Sequence, residues 1–103
     1  MEKNLKSLTN KKEFKYHPKT KEELQDLAND RSIYLGDIDM SAVSDFSFLF
    51  FGSPRNEKEF DSIESWGVLH VTNMHSMFND ARKFNQPLND WNVLNVTNMS
   101  FYV

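Results

Sequence analysis

A seven-slot apolar template occurs three times along the last 69 residues and constrains this chain more than any other feature. The first copy runs Leu35, Ile38, Met40, Val43, Phe46, Leu49, Phe50. The second runs Ile63, Trp66, Val68, Val71, Met74, Met77, Phe78, and the third Leu88, Trp91, Val93, Val96, Met99, Tyr102, Val103. All 21 slots are apolar, against only 5 of the 27 residues between them, so the slots mark the side of the chain committed to a core. A template repeated at this period predicts consecutive coils that stack on one another and share that core.

Two spacings alternate within each copy. Trp66 with Val68, Trp91 with Val93 and Ile38 with Met40 are two apart, the inward face of a short strand. From Val71 through Met74, Met77 and Phe78 the steps become 3, 3 and 1, which suits one helical or 3₁₀ turn. The expected fold is therefore α/β: a short leucine-rich-repeat-like solenoid of about three 25–28-residue strand-plus-helical-turn units. Polar residues keep the same register. Ser44-Asp45, Thr72-Asn73 and Thr97-Asn98 stand at equivalent turns, where stacked side chains can satisfy the backbone of their own or a neighbouring coil.

Residues 1–13 are polar, lysine-rich and aperiodic, and read as a flexible lead-in. Residues 14–34 read as an N-terminal strand and helix cap, and 35–103 as the solenoid. Phe14-Lys15-Tyr16-His17 alternates like a strand and is stopped by Pro18. Thr20-Lys21-Glu22-Glu23 fits a capping box, and Leu24, Leu27 and Ala28 share one face of a helix over about 21–30, an N-terminal helical cap for the array. The three residues that separate the 28-residue offset from the 25-residue one lie between Phe51 and Ser62. That segment's Gly-Ser-Pro and charge run predict an outward loop.

A net charge of −3, mixed in sign, points away from a nucleic-acid groove or an anionic membrane surface. Without cysteine there are no disulfides, thiolate metal sites or cysteine nucleophiles. No secretory h-region is visible near Met1, and the apolar cluster Phe46–Phe51 is too short to span a bilayer. Localisation stays open. His70 and His75 lie five apart and off the apolar slots, which favours surface histidines over a zinc pair. Asp37, Asp39 and Asp45 lack a calcium-loop spacing and read as a solvated acidic edge. The sequons Asn95-Val96-Thr97 and Asn98-Met99-Ser100 arise from an Asn/Thr-rich repeat and carry little information. With no phosphate loop, nucleophile elbow or Ser/His/Asp set in the sequence, the expectation is a non-enzyme with no cofactor or metal.

Phe84-Asn85-Gln86-Pro87-Leu88-Asn89-Asp90-Trp91-Asn92-Val93-Leu94-Asn95-Val96-Thr97-Asn98-Met99-Ser100 resembles the repeat of the BspA-like leucine-rich-repeat family of bacterial surface proteins. Trp66 to Phe78 resembles a second copy, and Leu35 to Phe50 a divergent first one. Pro18 to Leu24 looks like the helical cap that precedes them. The resemblance implies an arched binding surface displayed by bacteria, and no catalytic residues. Tyr102-Val103 depart from the family's Met-Phe, and no terminal capping repeat follows.

If Trp66 and Val68 point inward, Ser65, Gly67 and Leu69 point outward on the concave face. Equivalent outward sets are Asp37, Asp39 and Ser41, then Asp90, Asn92 and Leu94. Neighbouring strands about 5 Å apart would stack Leu69 on Leu94 beside the acidic residues. The expected function is a non-catalytic interaction module binding a protein or peptide there, with no nucleic acid and no membrane insertion. The alternative is a short or truncated family member with a structural or self-association role through an uncapped C-terminal coil.

Overall fold

Thr20 starts the helix where its sequence places it. In the computed structural model, which describes residues 13–100, α1 spans Lys21–Ala28. Glu23 donates its amide to Thr20 Oγ1 at 3.1 Å, and the Glu23 carboxylate accepts from the amides of Lys19 and Thr20 at 2.7 and 3.2 Å. This reciprocal cap satisfies the first orphan amides of the helix. Leu24 and Ala28 are buried and Leu27 packs at the core margin. The helix ends at Ala28, two residues before the expected boundary at about 30, with Asn29 as its C-cap. There the Asn29 amide group donates to Gln25 O and Leu49 O, tying the helix end to the first coil.

The segment after Phe51 is not an outward loop. Ser53, Arg55 and Phe60 are buried, and Arg55 is only 1% exposed. Its guanidinium donates to the carbonyls of Ala28, Glu59, Asp30 and Ile33 at 2.5–3.0 Å, with Leu27 O at 3.4 Å. The last turn of α1 contains no basic residue. Arg55 supplies both the charge and the donors that its unpaired carbonyls require. A 3₁₀ turn, Glu57–Phe60, follows, and Asn56 donates its amide to Glu59 Oε1 at 2.8 Å. That turn presses Phe60 edge-on against Phe50 and Phe84, at ring separations of 5.6 and 5.2 Å.

The template copies do stack, but not as strand-plus-helix units. The described residues contain one α-helix and three 3₁₀ turns, Leu35–Asp37, Glu57–Phe60 and Ile63–Ser65. Parallel pairing is confined to isolated contacts of Tyr16 with Ile38, Asp45 with Asn73, and Asn73 with Asn98. No sheet forms among them, so the expected α/β solenoid is incorrect. So is the strand over Phe14–His17, of which only Tyr16 pairs.

The backbone bonds explain why. Phe46, Phe48, Phe50 and Gly52 donate their amides across to Asn73, His75, Met77 and Asn79 at 2.8–3.0 Å. Between them, Leu49, Phe51 and Ser53 donate back to Phe46, Phe48 and Phe50 within their own coil, and Ser47 donates to Asp45 Oδ1. Met74 and Ser76 repeat the crossing pattern onto Asn98 and Ser100. Every amide from 46 to 53 is therefore accounted for, alternately across and locally. Local turns of this kind need left-handed residues. Phe48 and Gly52, and their equivalents Ser76 and Asp80, have φ of 60°, 61°, 54° and 62°. Such a chain cannot run as an extended strand, and the 3, 3, 1 spacing belongs to linked turns. The Trp-x-Val segment spans only three residues, pinned between a 3₁₀ turn at Ile63–Ser65 and the turn closed by Val71 N to Val68 O.

The slots are inward as expected. All seven residues of each of the first two copies are buried. Phe50 stacks on Phe78, with ring planes 2° apart, and Phe78 stacks in turn on Phe84. Trp66 and Trp91 each send their indole N–H to the preceding coil, onto Leu35 O at 3.0 Å and Ile63 O at 3.1 Å. In the third copy only Trp91 among the described slots is fully buried, while Met99 is 40% exposed. The slots Tyr102 and Val103 and the lead-in up to residue 12 lie outside the described residues.

Candidate functional site

The polar turn residues behave as a structural ladder. Thr72 N donates to Ser44 O at 2.9 Å and Thr97 N to Thr72 O at 2.8 Å. Asp45, Asn73 and Asn98 each accept the amide two residues on, from Ser47, His75 and Ser100. Burial pushes the Asp45 carboxyl up, but bonds from Ser47 and the nearby Lys21 ammonium outweigh it and leave the group below its ordinary value.

A second row is built from the turns closed by Val43, Val71 and Val96 onto Met40, Val68 and Val93. Their tips are Ser41, Leu69 and Leu94, and all three are exposed, Leu69 by 52% and Leu94 by 80%. The residue after each leucine anchors its turn to the preceding coil. His70 Nε2 lies 3.1 Å from Met40 O and 3.0 Å from Val43 O, and Asn95 Nδ2 donates to Leu69 O at 2.7 Å. His70 is thus half-buried and edge-on to Phe46, and the reading of it as a surface histidine is corrected. His75 is also half-buried and meets Phe48 edge-on at 5.3 Å.

The structure divides the eight sequence-predicted residues. Asp37 is half-buried, and Lys15 approaches its carboxylate to 3.8 Å. Asp39 accepts the Ser41 amide at 3.0 Å and lies 3.3 Å from His17 Nδ1. Asn92 repeats that turn by accepting the Leu94 amide at 3.1 Å. Ser65 is exposed and donates its hydroxyl to Ser62 O. Asp90 is exposed. Because no sheet forms, there is no concave sheet face to unite them. Asp39 and Ser41 line one depression with Glu13, Phe14, His17 and Gly67, about 670 Å³ in volume. Ser65 lines an adjoining one of about 280 Å³ with Tyr34, Ser62 and Trp66. Phe14, Met40 and Gly67 border both.

Hydrogen bonding from Ser41, opposed by partial burial and aided by His17, holds the Asp39 carboxyl below its ordinary value. Sequence reading placed Gly67 outward but left both it and His17 out of the candidate site. The signal for Gly67 was available, since the template position held by Asp39 and Asn92 is a glycine in the second copy. Among the described residues no cluster of three or more His, Cys, Asp or Glu side chains is arranged to hold a metal ion. Nor is any helix among them long and apolar enough to cross a membrane.

Residues 19–102 match the family described as Mycoplasma protein of unknown function, DUF285. The chain belongs to this family. The match spans α1, the first two template copies and the third as far as residue 102, and DUF285 is related to the BspA-like group. No curated protein and no solved structure matches the chain.

Proposed function

We propose that this DUF285 chain is a non-catalytic interaction module that binds a protein or peptide through the surface bearing Asp37, Asp39, Ser41, Ser65, Leu69, Asp90, Asn92 and Leu94. The observation that carries this reading is the row of turn tips, Ser41, Leu69 and Leu94. Two leucines stand exposed at equivalent positions, on turns whose backbones are fixed by His70 and Asn95. A rigid base under exposed apolar side chains lowers the ordering cost of a partner contact. The likeness of the Trp91 to Ser100 segment to BspA-like surface proteins supports the same reading. The test is affinity capture with the full chain, comparing wild type with Leu69→Asp/Leu94→Asp and with an Asp61→Asn control. A partner kept by wild type and the control but lost by the double variant supports the proposal. Equal retention by all three would remove this surface from it.

A second reading, self-association through the third coil, rests on Met99 being 40% exposed while its equivalents Phe46 and Met74 are fully buried. Sedimentation over a range of concentrations tests it. A Met99→Asp variant that abolishes concentration-dependent association supports it, and a concentration-independent monomer contradicts it.

A further inference from the structure

Gly67 is the gap in an otherwise filled row. At the equivalent positions Asp39 and Asn92 fold their side chains over the next turn, onto the amides of Ser41 and Leu94. The second coil has no side chain to do this, and a Cβ placed on Gly67 meets nothing within 4 Å. The exposed Gly67 backbone makes no hydrogen bond, neither through its N–H nor through its C=O. The two depressions meet here to form one groove. Its apolar side is Phe14, Met40 and Trp66. Among the described residues, the ionisable groups lining it are Glu13, Asp39, His17 and the Tyr34 phenol, with no lysine or arginine. Lys15, which follows Phe14, sits on Asp37 instead.

We propose that the groove over Gly67 binds an extended, lysine-bearing peptide segment. Its main chain pairs with the Gly67 N–H and C=O, its ammonium lies against Asp39 and Glu13, and an apolar side chain rests on Met40 and Phe14. This inference deepens the interaction reading above and depends on it. An unpaired backbone beside an apolar floor is what an added extended chain requires, and alternate side chains of such a chain point to one side. The acidic rim selects the sign of the partner. The larger of the two depressions, about 670 Å³, is in the size range of small-ligand pockets.

Fluorescence polarisation with three labelled peptides of equal length tests it, alternating leucine with lysine, with glutamate or with serine. The expected order of affinity is lysine, then serine, then glutamate, and the lysine preference should shrink with added salt. Asp39→Asn keeps the bond from Ser41 N and removes the charge, so it should weaken the lysine peptide by up to about fivefold, the scale of an exposed ion pair. Gly67→Trp fills the groove from a position with open space and should weaken all the peptides by at least about tenfold. Glu22→Gln, on the exposed side of α1, should change nothing. A cooperative melt with its midpoint well above the assay temperature shows for each variant that the fold is intact, and Gly67→Ser serves if the tryptophan variant does not fold. Failure of wild type to bind any peptide, or binding indifferent to both Asp39→Asn and Gly67→Trp, overturns this inference. The broader interaction reading fails separately, through the Leu69→Asp/Leu94→Asp capture.

Discussion

Replacing Arg55 with alanine should unfold or nearly unfold the N-terminal half of the core. Four of its contacts lie at 2.5–3.0 Å, and the carbonyls they satisfy belong to three different parts of the chain: the helix end at Ala28, the following turn at Asp30 and Ile33, and the 3₁₀ turn at Glu59. Hydrogen bonds from a charged donor are worth about 1.5–3 kcal/mol each, and leaving a buried acceptor unmatched costs about 1–3 kcal/mol. Burial opposes the charge, and it holds the guanidinium below its ordinary value. Water entering the vacated space would recover some of the loss. The net is about 3–5 kcal/mol, as when one partner of a buried charged network is removed. A domain of this size has about 5–15 kcal/mol in all, and each kcal/mol moves the midpoint by about 4–8 °C. Thermal and urea unfolding followed by circular dichroism should show a fall of at least about 12 °C. Arg31→Ala, which removes an exposed pair with Glu59, should move the midpoint far less. A fall of less than about 4 °C for Arg55→Ala would refute the clamp.

Trp91→Ala should cost about 3–5 kcal/mol in urea unfolding, because it removes a buried indole and its bond to Ile63 O. A change below about 1 kcal/mol would mean that the third coil is not docked by it. Gly52→Ala should lose about 1 kcal/mol, since Gly52 has φ of 61°, whereas Gly67→Ala should change stability by less than about 0.5 kcal/mol. Asp39 has a lowered carboxyl pKa, so its stabilisation is present above the ordinary aspartate range near 3.9 and disappears as pH falls through the lowered value. The melting difference between wild type and Asp39→Asn should therefore be present at neutral pH and close in acid. A difference that widens in acid would reverse the sign.

The inward side of this fold was legible because apolar spacing reports which residues avoid water. The slots from Leu35 to Phe78 are all buried, and the capping box at Thr20 forms as its residues imply. What spacing does not report is the backbone path between the slots. Val71, Met74, Met77 and Phe78 fit a helical turn and a series of linked turns equally well, and the left-handed conformations of Phe48 and Ser76 leave no mark in residue type. Gly52 and its equivalent Asp80, residue types that tolerate this conformation, hint at it. Arg55 was missed for a related reason. A charged residue in a Gly-Ser-Pro-rich segment is ordinarily solvated, and its acceptors are main-chain carbonyls that no side-chain pattern announces. His70 was misjudged in the same way, since its acceptors are Met40 O and Val43 O. For the candidate surface, the outward direction of Ser41, Leu69 and Leu94 followed from the template, but their place on turns rather than a concave sheet did not, and the groove required knowing that Phe14 and His17 lie beside Asp39.

Amide hydrogen exchange resolved by residue tests the central claim, that the coils are joined through their turn segments and leave the Trp-x-Val segment of the second coil open at Gly67. The amides of Phe46, Phe48, Phe50, Met74 and Ser76, which cross between coils, should exchange slowly, near the rate set by global unfolding. The Gly67 amide, exposed and without a hydrogen bond, should exchange close to the rate of an unstructured chain. Strong protection at Gly67 together with fast exchange at Phe48 and Ser76 would contradict the account, because it would place the inter-coil pairing in the Trp-x-Val segments instead.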